Sequence, residues 1–348
     1  MKTPGKKILK IGIIGAGSIV RERHAPGLLS LEGVEIAAVA NQTREKALAF
    51  CREFSPQAEA IDHWRDLVTR PDLDIIWIGT HPNLHREITL AALDSGKHVF
   101  CQARMATNLI EAEEMLQAAE AKPQFVTMLC PPPQGLRQDA FMRQLLLEKF
   151  PGKPRRVRVV SRNGAFLNSK TPPHWRQLRE TSGLNVLSLG IHVEVLQRWF
   201  GNIASVQAAS RIWTPERNGF SIEIPDELFV IADFSCNILG TLDLSGTDPG
   251  PGTDFIEITG EDGLLRCDYL TGEITFQKKG EEITQPLPLP SNLDRPWQVE
   301  KDFINAVRNP EAPRPHPTFR DGVAYMRVVQ AVHDSLERGS KVHLTIPN

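Results

Sequence analysis

Asn185, Ser188 and His192 recur at spacings of three and four inside a run that is otherwise apolar. On a helix over 185–200 those spacings place all three on one face. A buried polar face without partners is costly, so such a face lines a cleft or belongs to a hydrogen-bond network. The histidine titrates near neutral pH and can take a proton from a hydroxyl or return one to it. The competing reading is a core histidine satisfied by Ser188 and a backbone carbonyl. The three residues alone carry both readings.

A second chemistry is written near the start of the chain. Ile8 to Ile14 is a dense aliphatic run, the pattern of a strand buried on both faces of a parallel sheet. Gly15 and Gly17 follow at once, and a helix is expected from about Ser18. Glycines at a tight strand-to-helix turn let backbone N–H groups approach a pyrophosphate. Ser18 and Ile19 would then offer unpaired N–H donors at a positive helix end. Val20 stands where the third glycine of the dinucleotide fingerprint would be, so the assignment rests on the order strand, turn, helix. The alternative is an ordinary glycine turn.

Further elements must position these groups. Strand-like and helix-like segments alternate to about residue 130: strands over 34–40, 75–79, 98–101 and 125–129, helices over 44–54, 62–68, 84–95 and 108–121. Strands separated by helices imply right-handed crossovers and a doubly wound parallel sheet, whose ligands bind at the carboxyl ends of the strands. The loops after Ile14, Ala40, Gly79 and Cys101 are therefore the expected cofactor positions. They contribute Asn41, Thr43 and Arg44; then Thr80, Pro82, Asn83 and His85; then Gln102. His85 has a second reading as the cap of the helix that follows. An NAD site places a carboxylate after the second strand to hold the ribose 2′-OH. Asn41 occupies that place, and Thr43 and Arg44 could meet a 2′-phosphate, so either NAD or NADP is expected; Arg44 reads equally as a solvated helix start.

Pro131-Pro-Pro133 stops the alternation, a helix over 136–149 follows, and Pro151-Gly152 makes a second break. Beyond it, short strand-like runs separated by Gly, Asp or Asn turns favour an antiparallel sheet. They lie at 157–161, 203–211, 227–234, 239–244, 255–259, 264–267 and 274–277. The expected division is a dinucleotide-binding domain over 1–130 and an α+β domain over 131–348 with a mostly antiparallel open sheet. Closing helices near 298–337 belong to the second domain or pack back on the first.

With 348 residues the chain has room for about two domains, and its net charge of −2 gives no reason to expect nucleic acid or an anionic membrane as partner. The five cysteines include no Cys-x-x-Cys pair, which argues for reduced thiols in a cytoplasmic protein and against a zinc or disulfide framework. No apolar run approaches the ~18 residues that span a bilayer, so a soluble protein without a metal is expected.

The order of these pieces resembles the glucose–fructose oxidoreductase / inositol dehydrogenase / MocA (Gfo/Idh/MocA) family. The resemblance is carried by Gly12-Ile-Ile-Gly-Ala-Gly17 with His24-Ala-Pro26, by Thr80-His-Pro-Asn-Leu-His85-Arg-Glu87, by Ala92-Leu-Asp-Ser-Gly-Lys-His-Val99, and by Gly190-Ile-His192. It implies a Rossmann domain, a sheet domain carrying the substrate, a nicotinamide cofactor, and sugars or cyclitols as substrates. It also implies a homodimer or tetramer formed through the open face of the sheet, and His192 as the catalytic histidine.

Two departures stand out. Where the family usually has Glu-Lys-Pro with its catalytic lysine, this chain reads Gln102-Ala103-Arg104. Where the family pattern is Asp-x-Gly-x-His, this chain has Ser188-Leu-Gly-Ile-His192. Arg104 could bind an anionic or polyhydroxylated substrate through its planar fork, or sit in a salt bridge. His174-Trp175-Arg176 resembles the family's Trp-Arg, which makes His174 and Arg176 further substrate contacts, the alternative being a surface loop with an aromatic anchor. The leading expectation is an NAD(P)-dependent oxidoreductase of a secondary alcohol or ketone on a sugar-like molecule. Loss of lysine and aspartate keeps two others open: redox-assisted cleavage or epimerisation with a recycled nicotinamide, and a binding protein without catalysis.

Overall fold

The computed structural model describes residues 7–132 and 136–345; Pro133, the last of the proline run, and both chain ends lie outside the described residues. The chain divides into two compact units. Met1–Ala106, Ile110–Pro131 and Gln298–Val323 form the first; Thr107–Leu109, Pro132–Trp297 and Ala324–Asn348 form the second.

The first unit is built on strands β1 (Leu9–Ile14), β2 (Val34–Ala40), β3 (Glu59–Ile61), β4 (Ile75–Ile78), β5 (His98–Cys101) and β6 (Thr127–Leu129). They form one sheet in the order β3-β2-β1-β4-β5-β6, parallel at every junction. The aliphatic runs are what a sheet covered on both faces requires: Ile11, Ile13, Ile36, Ile75 and Ile76 have no exposed surface. A π-helical turn (Val20–His24) runs into α1 (Ala25–Leu29), and the other connections carry α2 (Arg44–Phe54), α3 (Trp64–Val68), α4 (Pro82–Asp94) and α5 (Leu109–Glu120). Trp77 on β4 and Phe100 on β5 are directly paired across the sheet. Their rings stack with centroids 3.7 Å apart.

The second unit opens with α6 (Leu136–Leu147) and β7 (Arg156–Arg162). A 3₁₀ turn (Trp175–Gln177), α7 (Arg179–Ser182) and α8 (Leu189–Phe200) lead to β8 (Ile203–Arg211) and a small hairpin of β9 (Glu216–Arg217) and β10 (Phe220–Ser221). Then come β11 (Glu227–Phe234), β12 (Leu239–Ser245), β13 (Thr253–Thr259), β14 (Gly263–Asp268), β15 (Ile274–Lys278) and β16 (Thr284–Pro286). The chain returns to the first unit through α9 (Val299–Arg308), continues in α10 (Phe319–Arg338), and ends with β17 (Val342–His343). Phe303 of α9 sets its ring edge against Trp77 and Phe100 at 5.7 and 5.8 Å, within the first unit.

The nine strands of the second sheet run in the order β16-β15-β14-β13-β7-β12-β11-β8-β17. All junctions are antiparallel except β7 with β12, which is parallel. Burial alternates along β11: Leu228, Val230 and Ala232 are buried, while Phe229 and Ile231 are about half exposed on the other face. Ser188, just before α8, bonds Ser161 at the end of β7, and Ser335 of α10 accepts from the backbone of β8.

The helix anticipated over 185–200 begins only at Leu189, because Leu187 takes a left-handed backbone (φ 45°) that an α-helix excludes. Asn185 and Ser188 therefore sit in the turn before α8 and do not share a helical face with His192.

Candidate functional site: a dinucleotide turn and a histidine–aspartate pair

In the first unit the four loops expected to hold a cofactor all leave the carboxyl edge of the parallel sheet. Short backbone bonds fix their starts: Gly15 N–H donates to Ala40 O (2.8 Å), Gly79 N–H to Ile14 O (2.7 Å), and Gln102 N–H to Ile78 O (3.1 Å). Gly15 has φ +86°, and a Cβ there would stand 2.6 Å from the backbone nitrogen of Thr80. Only glycine satisfies both constraints. Gly17 is different: a Cβ on it would meet nothing within 4 Å. The turn is exposed at Gly17 and Ser18, and helix begins at Ser18. Open space over a glycine, next to the free N–H groups of a helix start, is the shape that admits a pyrophosphate. The sheet order reverses beside β1, between β2 and β4, which is the switch point where such ligands bind.

The second loop carries no carboxylate at the ribose position. Asn41 Oδ1 accepts from the N–H of Gln42 (2.9 Å). Thr43 caps α2 by accepting from Lys46 N–H (3.4 Å), and Arg44 makes an exposed ion pair with Asp62 (2.9 Å). In the third loop Pro82 is the first residue of α4 and Asn83 is exposed. The hydroxyl of Thr80 is buried without a hydrogen-bond partner among the described residues.

His85 corrects the cap reading made of it. The cap of α4 is His81, and the His85 ring is buried inside the unit. Its Nδ1 faces the carbonyls of Arg104 (3.0 Å) and Met105 (3.2 Å), and its Nε2 faces the carbonyl of Thr80 (3.0 Å). Burial holds its pKa below the usual histidine value. Its work is to tie the loop after β4 to the loop after β5.

Gln102 also turns inward. It is 7% exposed, and its amide donates to Nε2 of His24, whose Nδ1 meets the Glu300 carboxylate. Ala103 is partly exposed, Arg104 is 2% exposed, and the peptide between them is cis.

In the second unit His192 lies one turn into α8, 1% exposed. Its Nε2 lies 3.0 Å from Oδ1 of Asp254 on β13. Its Nδ1 is buried without a hydrogen-bond partner among the described residues. Burial lowers the pKa to about 4, so the ring is neutral at physiological pH. The Ser188 partner anticipated for this histidine is absent, since that hydroxyl bonds Ser161 (3.2 Å). Asn185 is buried and donates to Ser182 O (2.7 Å). Sequence reasoning missed Asp254, which is 62 residues from His192. Its place at the mouth of a strand, after the Pro249–Gly252 turn, was the one signal available.

His174 heads the 3₁₀ turn as its cap, accepting from Arg176 N–H through Nδ1 (3.2 Å), while the Gln177 side chain accepts from the His174 N–H (3.1 Å). The Arg176 guanidinium lies over the Trp175 ring, 4.2 Å from its centroid.

A six-stranded parallel sheet with an open glycine turn at its switch point defines an NAD-binding Rossmann domain. Residues 9–129 match the oxidoreductase family with an NAD-binding Rossmann fold, and residues 140–266 match the GFO/IDH/MocA C-terminal domain. The chain belongs to the Gfo/Idh/MocA family of oxidoreductases. It is 24% identical over 343 residues to myo-inositol 2-dehydrogenase of Thermotoga maritima, covering 97% of this chain and 98% of the dehydrogenase. It is 32% identical over 188 residues to 1,5-anhydro-D-fructose reductase of Ensifer adhaerens, a match that spans 52% of this chain and about half of the reductase (53%). In fold it is similar to levoglucosan dehydrogenase in complex with NADH and L-sorbose, with a TM-score of 0.86, 20% identity, and coverage of 98% of this chain and 100% of that one. It is similar also to a 3-ketoreductase of Actinomadura kijaniata in complex with NADP, with a TM-score of 0.78, 19% identity, and coverage of 94% and 98%. No helix among the described residues is long and apolar enough to cross a membrane.

Proposed function

We propose that this protein is a nicotinamide-dependent dehydrogenase or reductase acting on a secondary alcohol or ketone of a sugar or cyclitol, with His192 as its acid/base. The cofactor supplies hydride acceptance or donation. Gly15, Gly17, Ser18 and Ile19 hold its pyrophosphate, and Asn41, Thr43 and Arg44 meet its adenosine ribose. The observation that carries the reading is His192: a neutral buried imidazole with one nitrogen bonded to a carboxylate and the other unpartnered. A core histidine kept for packing has both nitrogens satisfied. Arg104, His174, Arg176, Asn185 and Ser188 are proposed substrate-side residues of lower rank, since the bonds described above occupy several of them. The relatives named above act on inositol and on anhydrofructose, which supports a polyhydroxylated ring as substrate. The protein is proposed to be cytoplasmic and to assemble as a homodimer or tetramer through the open face of the second sheet, where Phe229 and Ile231 are exposed.

A screen of cyclitols, aldoses, ketoses and anhydrosugars with NAD and NADP, followed at 340 nm in both directions, tests the reading. Turnover of at least one polyol or ketose with net nicotinamide reduction or oxidation is expected. Cofactor binding with no turnover of any of them would overturn it.

A further inference from the structure

The aspartate missing from the helix has a substitute on the sheet. Ser188 stands four residues before His192, and its hydroxyl is turned to Ser161 (3.2 Å). Asp254 comes instead from β13, with its Oδ1 3.0 Å from His192 Nε2 and its side chain 13% exposed. A carboxylate can only accept, so the ring proton must sit on Nε2. That leaves Nδ1 as the basic nitrogen, and Nδ1 is the buried atom without a hydrogen-bond partner among the described residues.

We propose that Asp254 is the positioning residue of a His192–Asp254 pair, fixing the Nε2–H tautomer and supporting the imidazolium that forms when Nδ1 takes the substrate's hydroxyl proton. This rests on the function proposed above. In the oxidative direction the O–H bond breaks and its proton passes to Nδ1. The carbinol C–H bond breaks, and an oxidised nicotinamide held by the glycine turn would accept its hydride, so that C–O becomes C=O. Reduction runs the same steps in reverse.

The surroundings explain why a carboxylate is needed. With Asp254 in place burial still holds the His192 pKa at about 4, so the ring is neutral and a weak base. A neighbouring anion favours the charged ring. The other titratable groups around the pair do not supply one. Tyr269, whose N–H donates to the Asp254 carbonyl (2.8 Å), and Cys267 are both raised by burial and neutral at physiological pH. Asp139 and Glu194 are engaged by Arg198 at 3.2 and 2.7 Å.

The experiment compares wild type, Asp254→Asn, Asp254→Glu and His192→Ala, using kinetics on a substrate from the screen and ¹⁵N-histidine NMR on each folded protein. Asp254→Asn is expected to lower kcat by roughly 10–100-fold, part of the 10²–10⁴-fold worth of a positioned acid/base, with the KM for cofactor unchanged. Its acidic limb of kcat/KM should move to lower pH, and the titration midpoint of the His192 ¹⁵N signals should fall with it. Asp254→Glu should recover part of kcat, which a merely packed pair would not require. Wild-type kcat and pH profile in Asp254→Asn, with His192→Ala inactive, would overturn the pair and leave the proposed function standing. Full activity in both variants would overturn the two together. If turnover is absent, a His192 ¹⁵N titration midpoint that is unchanged in Asp254→Asn overturns the pair on spectroscopy alone.

Discussion

His24 and Glu300 meet inside the first unit across 276 residues of sequence, Nδ1 of the ring against the carboxylate. His24 has no exposed surface and Glu300 only 3%. The ring is packed against Trp77 and Phe100, with centroids 5.0 and 5.2 Å away. Gln102 closes the other nitrogen. The result is a satisfied polar chain through an aromatic core, joining the turn after β1, the loop after β5 and α9.

Removing one end of that chain should cost stability. Glu300→Ala leaves the Nδ1–H of His24 buried without an acceptor, a loss of about 1–3 kcal/mol. Glu300→Gln keeps an oxygen in place and should cost less. Urea unfolding followed by tryptophan fluorescence reads both; an unchanged midpoint in the alanine variant would remove the chain's structural role.

Gly17→Val should abolish or strongly weaken nucleotide binding without disturbing the fold. The added side chain would meet no protein atom near its Cβ and would fill the space proposed for the phosphates. Calorimetric titration with NAD and NADP is the measurement, and unchanged affinity would move the cofactor elsewhere.

Much of this architecture is legible in the sequence, for a physical reason. The bounds of β2, α2, β5, β8 and β11 are those read from the aliphatic, alternating and helical runs of the sequence. Local chemistry decides those elements, so a local reading finds them. The α8 start was misplaced because periodicity cannot show the left-handed backbone at Leu187. His85 reads as a cap because it follows Pro82 closely. Its burial depends on carbonyls of residues 104 and 105, which only folding brings near. Asp254 and Glu300 are invisible for the same reason: each meets its histidine through tertiary contact.

Asn41→Asp should shift cofactor preference toward NAD. The carboxylate would accept from the ribose 2′-OH and repel a 2′-phosphate. A change of at least tenfold in the ratio of the two dissociation constants is expected, about 1.4 kcal/mol. A wild type that already rejects NADP by more than about thirtyfold, roughly 2 kcal/mol, would contradict the reading of this loop.

Stability should fall as pH drops from about 6.5 toward 4. Burial lowers His192 and His98 each to about 4, against an ordinary value near 6.5. Between those values the unfolded chain binds more protons than the folded one, so stability rises with pH. It is fully present above about 6.5 and is lost on acidification. His98 adds a structural reason, since its Nδ1 must stay unprotonated to accept from Val126 N–H (2.9 Å). The loss is on the order of 1 kcal/mol per histidine between pH 7 and 5, after allowing for partial solvent screening. Guanidinium melts at the two values measure it. His98→Asn, which keeps an acceptor but does not titrate, should flatten part of the decline.

The remaining prediction concerns the site that lacks a lysine. With Ala103 in that position and Ser188 in place of the aspartate, His192 is the titratable residue left of the family's lysine, aspartate and histidine. His192→Ala should reduce turnover by about 10²–10⁴-fold. Cofactor affinity should hardly change, because the histidine is proposed to face the substrate rather than the pyrophosphate. A fall in both together would mean that the substitution damages the fold, which a thermal melt would reveal. Ala103→Lys is the informative companion. Beside the buried Arg104, an added ammonium would suffer a like charge and disfavour protonation of any imidazole near it, so no gain in rate is expected. A Lys variant that activates a slow wild type would show that the natural chain has given up part of its catalysis. Full activity in His192→Ala would move the proton transfer to another residue, with His174 and Arg104 the next to substitute.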